Sequence, residues 1–76
     1  MNQRRRALLR SAQEHLEKAE TIIQMAVDQE QDAMDSLPEN LQGSEQYEKM
    51  ESAVDSLEAA LDHINDAKES LEDAVL

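Results

Sequence analysis

The chain has no cysteine, tryptophan or phenylalanine, and one residue each of tyrosine (Tyr47), glycine (Gly43) and proline (Pro38). Without thiols there is no disulfide staple and no thiolate metal site, a composition compatible with the cytosol. So little glycine and proline excludes a loop-rich fold, and so few aromatics leave little for a β core. No apolar run approaches the roughly 18 residues of a membrane span. The basic head Arg4-Arg5-Arg6 leads into Ala7-Leu8-Leu9, but Arg10 cuts that run short, so no signal-peptide core forms. A cytoplasmic protein without a membrane partner is expected.

What is present suits helices. Of 76 residues, 39% are hydrophobic, drawn almost entirely from Leu, Ile, Val, Met and Ala. The net charge of −11 is unevenly placed: residues 1–13 hold four arginines and no acid, whereas all 18 acids follow, with only three lysines. Such a body argues against direct nucleic-acid binding, which needs a basic surface. It suits a basic partner protein or imitation of a polyanion.

Alanine recurs every seventh residue twice, at Ala12, Ala19, Ala26 and Ala33, and at Ala53, Ala60, Ala67 and Ala74. A strict heptad of small side chains predicts close helix packing. Taking Leu9, Leu16, Ile23, Glu30 and Leu37 as one inward track places the first alanine series three residues on, as the second. The second helix carries Tyr47, Met50, Val54, Leu57, Leu61, Ile64, Leu71 and Val75 inward, with Lys68 interrupting and its alanines alongside. The fold class is therefore all-α: an antiparallel two-helix hairpin with an Ala-rich, coiled-coil-like seam, forming a single domain over 1–76.

The predicted helices span 3–35 and 45–75, with a turn at 36–44. Pro38 cannot lie inside a continuous helix. Ser36 and Glu39 read as a capping box over one short turn, and Leu37 and Leu41 are placed to plug the end of the hairpin. Gly43 is a left-handed terminator. Ser44 is an N-cap, and Glu45 and Glu48 favour the positive end of the second helix. A faint repeat at an offset of 41 aligns Ser11–Ala19 with Ser52–Ala60; a shared heptad pattern accounts for it as well as duplication does.

Both apolar stripes are wider than a two-stranded seam requires, since Leu8, Ile22, Val27 and Met34 flank the first. A short chain with one helix–helix interface has a marginal core. The expected outcome is a homodimer or higher assembly forming a four-helix bundle. Its interface is expected to use Leu8, Leu9, Leu16, Ile22, Ile23, Val27, Met50, Val54, Leu57, Leu61, Ile64 and Leu71. The alternative is a thin monomeric hairpin. Folding back should bring Arg4, Arg5 and Arg6 near Glu69, Glu72 and Asp73, each exposed pair contributing at most about 1 kcal/mol.

Catalytic chemistry finds no foothold. The Glu-x-x-His motif of di-iron bundles is missing, because Ala12 and Ala60 stand three residues before His15 and His63. His63 with Asp62 and Asp66 offers at best weak surface chelation. The serines lie on polar helix positions or caps without a base, and no Gly-rich phosphate loop exists. No enzyme activity, cofactor or metal is expected. Glu30 and Lys68 interrupt the seams, and in an antiparallel hairpin they lie too far apart to meet within one chain but could meet across a dimer.

One face of the second helix is a carboxylate stripe: Glu48, Asp55, Asp62 and Glu69, flanked by Glu51, Glu58 and Glu72. Neighbouring residues on a helix face sit roughly 5–6 Å apart, close to the spacing of phosphates along a nucleic-acid strand. The stripe is either an ordinary solvated face or a partner-binding surface.

The turn Leu37-Pro38-Glu39-Asn40-Leu41-Gln42-Gly43-Ser44-Glu45 is followed by Tyr47-Glu48-Lys49-Met50-Glu51 and Leu57-Glu58-Ala59-Ala60. With the basic start Asn2-Gln3-Arg4-Arg5-Arg6, it resembles a family of short, uncharacterised acidic helical-hairpin proteins. These come from phages and mobile elements of Gram-positive bacteria. The resemblance covers nearly the whole chain and implies a host-facing accessory role, with no activity or functional residue to carry over. In architecture alone the hairpin is similar to the repressor-of-primer bundle. The sequence thus points to a small acidic self-associating protein acting by protein–protein interaction, with a nucleic-acid-mimicking inhibitor of a host nuclease or defence system as the alternative.

Overall fold

In the computed structural model, which describes residues 1–76, helix α1 (Gln3–Asp35) and helix α2 (Glu45–Val75) pack side by side, joined through a single 3₁₀ turn at Glu39–Leu41. The Cα trace measures 59 × 14 × 12 Å. No helix is long and apolar enough to cross a membrane.

The helix ends follow from local chemistry. Asn2 caps α1, its side-chain oxygen accepting the Arg5 N–H at 2.9 Å. Ser44 caps α2 by accepting the Tyr47 N–H at 3.2 Å. Gly43 takes φ +80, a conformation that costs residues with a Cβ roughly 1–2 kcal/mol. Pro38 precedes the 3₁₀ turn as expected, but the capping box does not form. Ser36 instead closes α1, its N–H bonding to Asp32 O, and the 3₁₀ turn has no side-chain cap. The turn is clamped by Gln42, whose amide donates to the Met34 and Leu37 carbonyls at 3.3 and 3.1 Å. Leu37 is half-buried against this end, while Leu41 stays exposed.

The seam in α1 runs through Arg6, Leu9, Gln13, Leu16, Glu20, Ile23, Val27, Glu30, Met34 and Leu37, in alternating steps of three and four, all buried or half-buried. In α2 it runs through Tyr47, Met50, Val54, Leu57, Leu61, Ile64, Lys68, Leu71 and Val75. Only Val27, Met34 and Val54 are buried, with Ile23, Tyr47, Met50, Leu57 and Leu61 packed around them.

This corrects the expected alanine seam. Ala26, Ala33, Ala53 and Ala74 are exposed, and Ala12, Ala19, Ala60 and Ala67 are only half-buried. The second inward track of α1 stands four residues after Leu9, Leu16, Ile23 and Glu30, not three. In heptad terms it is position a, with Leu9 at d and the alanines at g. Arg6, Gln13 and Glu20 disguise its first half in the sequence, because polar residues do not read as seam.

Candidate interaction surface

The seam divides into unlike halves. Near the turn it is apolar apart from Glu30. Toward the open end, the a positions of α1 are Arg6, Gln13 and Glu20, and α2 contributes Lys68. The Lys68 ammonium lies 3.4 Å from the Glu20 carboxylate, the two side chains being 24% and 37% exposed. Lys68 thus finds its partner within the hairpin, while Glu30, further toward the turn, makes no ion pair. The other ion pair is the exposed Glu45–Lys49, one turn apart.

Arg4, Arg5 and Arg6 do not engage Glu69, Glu72 or Asp73: no arginine comes within 4.0 Å of a carboxylate. Long exposed side chains gain too little from such pairs to be held in place. Arg6 is half-buried, and its Nε is enclosed without a hydrogen-bond partner.

Of the expected oligomer contacts, Val27 and Val54 are consumed inside the chain. Leu9, Leu16, Ile23, Met50, Leu57, Leu61, Ile64 and Leu71 are half-buried along the same intrachain seam. Leu8 and Ile22 remain open, 64% and 65% exposed. Met25, 55% exposed, also stays open but lines a groove with Gln24, Asp28 and Leu61 away from the alanine tracks, and it stood out in no sequence track.

The positions flanking the seam separate by side. The e positions of both helices share one side: Arg10 and Glu17 of α1 line a groove with Glu72 of α2. The g positions, which carry both alanine tracks, therefore share the other side, bordered by the c positions. On α1 the c and g residues are Leu8, His15, Ile22 and Gln29 with Arg5 and Ala12, Ala19, Ala26 and Ala33; on α2 they are Lys49, Ser56, His63 and Ser70 with Gln46 and Ala53, Ala60, Ala67 and Ala74. None of the chain's 18 acids falls on this face. The hairpin thus has one acid-free, small-residue face, with its carboxylates held elsewhere.

Glu48, Glu51, Asp55, Glu58, Asp62, Glu69 and Glu72 are all exposed on α2. His15 donates from Nδ1 to the Ser11 carbonyl at 2.7 Å, and His63 is exposed. No group of three or more His, Cys, Asp or Glu residues converges as metal ligands would. No family model, curated protein or solved structure matches the chain.

Proposed function

We propose that the protein is a self-associating helical module that acts by protein–protein contact, two hairpins pairing into a four-helix bundle that presents carboxylates to a basic partner. One observation carries this reading. A compact chain of 8.6 kDa exposes about 4,700 Å², whereas this one exposes 5696 Å². The surplus of roughly 1,000 Å² is close to the ~800 Å² that each partner hides in a standard interface. Exposed Leu8 and Ile22 beside the alanine tracks supply apolar area for it. On the resemblance of its turn and basic start alone, we propose a cytoplasmic accessory role in a phage or mobile element as its setting.

Light scattering across a concentration series tests the reading. The expected mass is twice that of one chain, and Leu8→Glu with Ile22→Glu should halve it while circular dichroism stays helical. A monomer at every concentration contradicts it.

A second reading, a nucleic-acid-mimicking inhibitor of a host nuclease, is favoured by the exposure of every residue of the α2 carboxylate stripe. It predicts competition with DNA for a nuclease. Charge reversal at Glu51, Asp55, Glu58 and Asp62 should abolish inhibition with helicity retained; inhibition that survives the reversal removes this reading.

A further inference from the structure

Helix α1 is electrically lopsided. Its first eleven residues, 3–13, carry Arg4, Arg5, Arg6 and Arg10 and no acid; its last eleven, 25–35, carry Asp28, Glu30, Asp32 and Asp35 and no base. Both ends oppose the helix macrodipole, which favours acids at the N-terminus and bases at the C-terminus. None of these eight groups forms an ion pair within the chain. These charges make no direct ion pair with α2, and a second α1 running antiparallel would set the opposite charge against each end.

Building on the self-association proposed above, we infer that the acid-free face is covered by a second copy running antiparallel, α1 against α1, with Ala19 close to the twofold axis. This places the arginine-bearing end of each α1 over the acid-bearing end of the other. A parallel pairing would set arginines on arginines and carboxylates on carboxylates. The register follows from the face. With the axis near Ala19, Ala12 meets the partner's Ala26, His15 meets the partner's Ile22, and Leu8 meets the partner's Gln29. Small residues thus face small residues along the axis, and Leu8 and Ile22 each gain a neighbour. The α2 helices then meet through c and g positions free of carboxylate, so the strongly acidic stripes of the two copies stay apart on the outside.

The absence of native cysteine makes the test direct. Ala19→Cys should form an intermolecular disulfide under mild oxidation, because only contact at the axis brings the two copies' Cα atoms within roughly 7 Å. Ala12→Cys alone and Ala26→Cys alone should not cross-link, while a mixture of the two should. Because Ala26 is exposed and Ala12 half-buried, this mixed pair keeps the test decisive if Ala19→Cys perturbs folding. Self-linking of Ala12→Cys and of Ala26→Cys indicates parallel pairing and overturns the inference. So does a dimer seen by light scattering in which neither Ala19→Cys nor the mixture cross-links; self-association then survives on another face. A monomer by light scattering removes both.

Discussion

Val27, Met34 and Val54 hold the hairpin shut near its turn, and no other residue in the chain is buried. Truncating either valine to alanine removes two buried methyl groups and leaves a small cavity. Val54→Ala should therefore cost about 2 kcal/mol in urea unfolding. Ala53→Val next door, on an exposed position, should change stability by less than about 0.5 kcal/mol. The reverse ranking would mean that the alanine track, not the valine track, is the intrachain seam. Two turn residues act through the backbone: Ser44→Ala removes the cap on α2 and should cost about 1 kcal/mol, and Gly43→Ala about 1–2 kcal/mol because φ is +80 there. Gly43 and Ser44 were readable from the sequence because each works locally. Asn2 and Gln42 were not singled out, since asparagine and glutamine are common on any polar surface and only the folded turn aims the Gln42 amide at two carbonyls.

The elements themselves, two helices ending at the serine, proline and glycine signals, follow from composition and heptad spacing. Which face of each helix meets the other does not. In α1 the alanine track and the Val27–Met34 track both repeat every seven residues and flank the Leu9–Leu16–Ile23 track on either side. The regular series is the more visible, but the larger side chains bury more area and win the interface. The same polar substitutions that hide the seam also weaken it. Arg6, Gln13, Glu20 and Lys68 replace apolar layers at the open end, leaving a half held by Leu9, Leu16, Ile64, Leu71 and Val75. Stability should thus be graded along the rod. Amide exchange in dilute solution should be slowest around Val27–Met34 and Tyr47–Leu57 and fastest in Arg4–Gln13. Uniform protection along α1 would show that the polar layers cost nothing. Converting the Glu20–Lys68 pair together to leucine and methionine should be neutral or stabilising, because a partly buried pair gives back much of its attraction in desolvation. Lys68→Met alone should destabilise, as it leaves Glu20 half-buried without its counter-charge.

At the scale of the whole molecule, the 18 acids avoid one face of a rod that is otherwise charged throughout, and the exposed surface exceeds what a chain of this mass shows when compact. Patterning could establish that an apolar surplus existed, but only the seam's true register shows which face carries it. Self-association through that face should keep the outer carboxylates solvated. Because arginine and carboxylate ends then lie across the interface, dimer affinity should fall as salt rises through the range where the Debye length drops from about 10 Å to 3 Å. Strengthening with salt would point to a purely apolar contact. The most direct measurement is the solution mass by light scattering at low salt, over a hundredfold range of concentration. The account predicts two chains per particle, falling to one when Leu8 and Ile22 are both replaced by glutamate. A single chain at every concentration, with helicity intact, would contradict it.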